Sequence, residues 1–174
     1  MESAIIIKGK LNMRSRPDRS NPKVIEKATA VALAVLVKWE PESLEDWEKP
    51  AKEIAERSLR LEDGYALAKF LDDTYMVEVD TELVNLLDDL HFALNEVING
   101  EVRAWVIEEN IQCQFTPGQK VMFSHRWHKD VVGIVDRIDA IKAKITVIPP
   151  SDIGCQGKPV LNFEDCKLVE DKQL

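Results

Sequence analysis

The segment Phe115–Asp171, FTPGQKVMFSHRWHKDVVGIVDRIDAIKAKITVIPPSDIGCQGKPVLNFEDCKLVED, breaks into short β-type runs separated by turn residues. That is the pattern of a small barrel. Pro117-Gly118 marks a turn, and Lys120–Ser124 alternates so that Val121 and Phe123 share one face. HRWHKD, residues 125–130, reads as a loop. Val131–Ile138 is predicted as a strand, with Gly133 providing a bulge or a close backbone approach that lets a small sheet curve. Asp139–Ala143 turns, and Lys144–Ile148 returns with Ile145 and Val147 inward and Thr146 outward. The loop PPSDIGCQGKP is predicted to lack regular structure because of Pro149, Pro150, Gly154, Gly157 and Pro159. Asn162–Val169 supplies the last strand.

The chain upstream is helical in pattern. Ala4–Lys8 is a β-branched run and reads as a strand, followed by a polar, basic loop interrupted by Pro17 and Pro22. Asn21-Pro22 opens a helix to about Trp39, whose apolar C-terminal half predicts burial on most sides. Ser43–Asp46 has the form of a capping box opening a second helical stretch, which Pro50 splits into a short turn and a helix over Pro50–Leu61 with Ile54, Ser58 and Leu61 on its buried stripe. A third helix covers Tyr65–Asp73, with Leu67, Phe70 and Leu71 on one side. Asp80 or Thr81 caps a fourth, whose stripe is Leu83, Leu87, Leu90, Leu94, Val97 and Ile98 and whose stop is Gly100. Val102–Glu108 reads as β and is predicted to pair with Ala4–Lys8. The expectation is an α+β protein, with a helical bundle over residues 1–109 and a barrel over 110–174.

The run of V-x-F strand, variable loop, VVGIVDRID strand with its return hairpin, and closing NFEDCKLVE resembles an SH3-like barrel of the KOW or Tudor sort. The resemblance covers about a third of the chain and rests on pattern. It implies a binding module that holds peptides, modified side chains or RNA in the loops at one end.

Charge is unevenly spread over the 174 residues. Residues 1–23 carry net +4, residues 24–109 carry −13 and residues 110–174 carry +1, for a total of −8. The acidic middle repels nucleic acid and suits a basic partner, or serves solubility alone. No apolar run approaches the roughly 20 residues of a membrane span, and Ala4–Ile7 is too short for a signal-peptide core, so no membrane partner and a cytoplasmic location are expected. Cys113, Cys155 and Cys166 are odd in number and far apart, against a disulfide framework.

His125-Arg126-Trp127-His128 is the densest cluster of functional side chains, and Arg and Trp dominate interface energetics. The two histidines could hold a metal with Cys113 or Cys166, but a flexible loop is poor support for a tetrahedral site, so no metal or cofactor is expected. Asp72, Asp73, Asp88 and Asp89 lack the EF-hand spacing and read as acidic helix faces able to meet a partner. His91 reads as packed, not catalytic, and Cys155 as the cysteine most exposed to reaction. Walker, dinucleotide, G-x-S-x-G, H-E-x-x-H and deaminase signatures are missing, so a non-enzymatic reading leads. The leading expectation is a protein-interaction or inhibitor/adaptor protein that binds a basic or nucleic-acid-binding partner through the four aspartates and the HRWH loop. In composition it is similar to phage and mobile-element accessory proteins. The alternative is a nucleic-acid module using the basic arm Lys8–Lys23 with Arg126, Lys129, Lys142 and Lys144 on one barrel face.

Overall fold

The computed structural model describes residues 14–39, 46–60, 62–125, 128–154 and 157–169. The predicted strand at Ala4–Lys8, the start of the basic arm, Ser43–Glu45 of the capping box, Leu61, Arg126, Trp127 and Cys155 lie outside them. The architecture is α+β: helices in the N-terminal part, then a curled antiparallel sheet that forms half a barrel. The chain divides into two compact units, Met1–Val102 and Arg103–Leu174.

In the first unit, α1 (Pro22–Trp39) starts where the Asn21 side chain accepts from Lys23 N–H at 3.0 Å. Its buried stripe is Val24, Ala28, Ala32 and Leu36, each one helical repeat from the last. Burial on most sides is not observed. The other C-terminal positions are half-buried or exposed, because a stripe with two alanines packs closely against α2 (Glu48–Leu59) along one line only. Pro50 sits in the first turn of α2, where a missing N–H costs nothing, so it does not split the segment. Ile54 and Ser58 are buried as expected.

Helix α3 (Gly64–Tyr75) is capped by Asp63, whose carboxylate accepts from Ala66 N–H at 2.8 Å. It runs past Asp72-Asp73 to Tyr75, where left-handed Met76 ends it. Helix α4 (Thr81–Glu108) is capped by Asp80, which accepts from Leu83 N–H at 2.7 Å. Leu83, Leu87, Leu90 and Leu94 are buried, with Val97 and Ile98 packed against the same core shared by α1, α2 and α3. The predicted strand at Val102–Glu108 is instead the end of α4. The helical spacing simply continues through Leu94, Ile98, Val102 and Trp105, and the lone exposed Gly100 costs only about 1 kcal/mol relative to alanine. The stop lies ten residues later. Asn110 adopts the left-handed conformation, with Ile111 N–H donating to Val106 and Asn110 N–H to Ile107, a Schellman closure.

In the second unit the strands are β1 (Lys120–His125), β2 (His128–Asp139), β3 (Lys144–Ile148), β4 (Val160–Asn162) and β5 (Lys167–Leu168). Their order is β4-β3-β2-β1-β5, all neighbours antiparallel. Val121, Phe123, Val131, Val135, Ile145 and Val147 are buried, as alternation requires. The irregularity that bends β2 falls between Val135 and Arg137, not at Gly133, which is instead a point of close approach to β3. Of the predicted loop HRWHKD, the described residues belong to strands, and His125 and His128 face each other as the last pair of the β1–β2 ladder. The Pro149–Pro159 connection contains a 3-10 turn at Ser151–Ile153. The final strand is likewise two short ones, because Phe163–Asp165 forms a 3-10 turn that buries Phe163 edge-on to Phe115.

Candidate functional site

The exposed face of α4 is built from residues rejected by its leucine stripe. Phe92 lies nine positions after Leu83, about 180° around the helix at 100° per residue, and is 72% exposed. Asp88, Asp89 and Glu96 lie within about 60° of it on the same face. An aromatic ring held out among carboxylates offers a partner a large apolar contact within a negatively charged surround. His91 sits half-buried beside it, with the two rings edge-on at 6.1 Å.

The four aspartates do not form one patch. Asp72 and Asp73 are exposed in the last turn of α3, where the helix dipole disfavours negative charge and no basic residue offsets it. Asp88 is occupied: its Oδ1 accepts from Gly64 N–H at 2.6 Å, satisfying the first orphan donor of α3. Along α3, about 12 Å of helix separates that contact from Asp72. Asp89 is exposed on α4. Sequence reasoning missed the tie between Asp88 and Gly64 because its partners are 24 residues apart and nothing local marks them. It also passed over Phe92, although the half-turn offset from Leu83 was there to be read.

Of the HRWH cluster, half-buried His125 and exposed His128 are directly opposed across β1 and β2. No group of three or more His, Cys, Asp or Glu able to hold a metal occurs among the described residues. Cys166 is buried, and burial together with Asp165 and Glu164 pushes its thiol from 9.0 up to about 11, so at neutral pH it is a protonated packing residue. Cys113 is half-buried, its thiol donating to the Phe115 carbonyl at 3.3 Å. Alkylation at pH about 8, followed residue by residue with mass spectrometry, is expected to modify Cys166 at least about tenfold more slowly than it does in urea-unfolded chain. Equal rates in the two states would contradict a buried thiol.

Of the residues named for a nucleic-acid face, Arg126 lies outside the described residues and the lysines stand at separate points of the sheet. Lys129 is near the start of β2, whereas Lys144 pairs with Asp139 at its end, up to about 33 Å away along the strand. Lys142 lies in the β2–β3 turn, where its N–H donates to Asp139. No helix among the described residues is long and apolar enough to cross a membrane. In comparisons with known proteins, no protein family, curated protein or solved structure matches the chain.

Proposed function

We propose that the protein is a non-enzymatic binding module that docks a protein partner through its acidic helices. The observation that carries this reading is Phe92, 72% exposed among Asp88, Asp89 and Glu96 on α4. An aromatic anchor contributes apolar area and carboxylates around it select a partner whose apolar socket is rimmed by lysine or arginine. Asp72 and Asp73 extend the negative field in which such a partner is captured.

We also read the half-barrel as SH3-like. The strand order β4-β3-β2-β1-β5, a long β2 bent near Asp136, and a 3-10 turn between β4 and β5 support that reading. In such barrels the end of the sheet that holds the β1–β2 connection serves recognition, which keeps His125 and His128 as partner-facing candidates.

The test is capture of binding proteins from the source lysate with three immobilised forms of the chain: wild type, Phe92→Asp, and a triple variant Asp72→Lys, Asp73→Lys, Asp89→Lys. Asp88 is left intact because its charge caps α3. The same partner is expected on wild type at low salt, lost by about 0.5 M salt, and bound about tenfold or more weakly by either variant. A partner retained equally by all three forms and at both salt levels would sink the reading.

A further inference from the structure

We propose that the outer face of the half-barrel is a docking surface for α4 of a second copy of this chain, giving head-to-tail self-association. The proposal rests on reading the Phe92 face of α4 as a docking surface.

Directly opposed residues of an antiparallel ladder share a face. With Val121, Phe123, Val135, Ile145 and Val147 inward, the register assigns the outer face. There Met122 stands opposite Val132, Ile134 opposite Ile148, and Thr146 opposite Val160. An antiparallel sheet with one covered side ordinarily alternates apolar inward and polar outward. Here aliphatic side chains occupy both sides, and Val132, Ile134, Ile148 and Val160 are 41–61% exposed. Neighbouring strands bring them into one continuous strip across β1, β2, β3 and β4.

Charge identifies the occupant. The same register puts Lys167 opposite Met122, Lys120 opposite Ile134, Arg137 opposite Thr146 and Lys144 opposite Asn162. The strip is therefore rimmed by cations, among which Lys144 stands opposite Asp139 and Arg137 lies 3.6 Å from Asp136, a carboxylate that also meets Lys158 at 2.9 Å. A complementary surface carries an apolar anchor flanked by carboxylates, and α4 has one in Phe92 with Asp89 and Glu96 on either side along the helix. The scales agree. Lys120 to Arg137 spans one strand spacing across and three residues along β2, about 11 Å in all, and Asp89 to Glu96 spans about 10 Å of helix before side-chain reach is added. The strip holds no exposed aromatic ring among the described residues, so it lacks the stacking platform that single-stranded nucleic acid uses. One helix on one small sheet buries less than the 1,200 Å² or so of a stable complex, so the association is weak and reversible. The two surfaces differ, so the contact is heterologous and extends from copy to copy.

Sedimentation velocity of the full chain tests this, over about 10 µM to 1 mM at low and high salt. The expected result is a sedimentation coefficient that rises with protein concentration and falls back with salt. Phe92→Asp and Ile134→Asp, both at exposed positions, should each stay monomeric with unchanged circular dichroism. Mixed, they should form dimers and nothing larger, because each retains the surface the other lacks. If Ile134→Asp disturbs the fold, Ile134→Ser with Ile148→Ser replaces it. A wild type monomeric up to about 1 mM overturns the proposal, as does association indifferent to either variant, or a mixture that fails to dimerise. A monomer whose Ile134 face binds oligouridine assigns that face to nucleic acid and also overturns it. If self-association fails while partner capture still depends on Phe92, only this inference falls, not the binding role of α4.

Discussion

Gly64→Ala is expected to lower the stability of the helical unit by about 3 kcal/mol or more, which for a unit of this size is a drop of 10 °C or more in Tm. Ordinary propensity points the other way, since alanine is favoured over glycine within a helix by about 1 kcal/mol. Gly64 is not left-handed, so its backbone does not require glycine. The reason is space. A Cβ there would lie 2.3 Å from the Val84 carbonyl oxygen, 2.7 Å from Asp88 N and 2.7 Å from Asp88 Oδ1. Two of those atoms are backbone of a 28-residue helix and have no rotamer to escape into. Relief requires moving α3 away from α4. That would lengthen the 2.6 Å bond from Gly64 N–H to Asp88 and open the core that Leu67 and Leu71 share with Leu83 and Leu87. Thermal melts followed by circular dichroism at 222 nm read the outcome. A Tm equal to or above wild type would show that the two helices are not in this contact.

This contact also marks the limit of what could be read beforehand. Glu62-Asp63-Gly64 reads as a turn before a helix, and Asp63 does cap α3, but no periodicity tells that Gly64 touches a helix that begins 17 positions later. Signals confined to one element were legible. The α4 stripe from Leu83 to Leu94, the Asn21 and Asp80 caps, and the inward sides of β1 and β3 all follow from 3.6- and 2-residue repeats or a local side chain. Legibility failed where two local signals competed. At Val102–Glu108, β-branched and aromatic residues after a glycine argue for a strand. The continuing spacing Ile98, Val102, Trp105 argues for helix, and tertiary burial of Val102 and Trp105 decides for the latter. The true stop, Asn110, was available as a left-handed asparagine but is a weaker mark than glycine. At NFEDCKLV, the run looks like one strand. Burial of Phe163 and Cys166 three positions apart is instead the period of a 3-10 turn. For the candidate site, the acidic excess of α3 and α4 was plain from composition, yet the structure separates Asp88, which holds α3, from Asp89 beside Phe92, which is exposed.

Gly133→Ala carries the second large effect, in the barrel. Alternation places Gly133 on the inner face between Val131 and Val135, and a strand interior ordinarily prefers alanine or a larger residue to glycine. A Cβ at Gly133 would lie 2.5 Å from Val147 Cγ1, 2.7 Å from the Ile148 carbonyl oxygen and 3.0 Å from Phe123 Cε1. The Val147 methyl can rotate away at some cost. The Ile148 carbonyl cannot, because its strand is held in register by Val135 opposite Val147 and Ile134 opposite Ile148. The expected loss is about 2–3 kcal/mol. It should appear as faster hydrogen exchange in peptides covering Lys120–His125, His128–Asp139 and Lys144–Ile148, while peptides covering Leu83–Leu94 keep their protection. Val147→Ala in the same chain removes one of the two hard contacts and leaves the other. The double variant should therefore recover part of the loss, with a favourable coupling of about 1 kcal/mol that a simple cavity at Val147 would not produce. Undiminished protection across β1, β2 and β3 in Gly133→Ala would mean that β2 does not approach β3 this closely. The bend of the half-barrel would then depend on the irregularity at Asp136 alone.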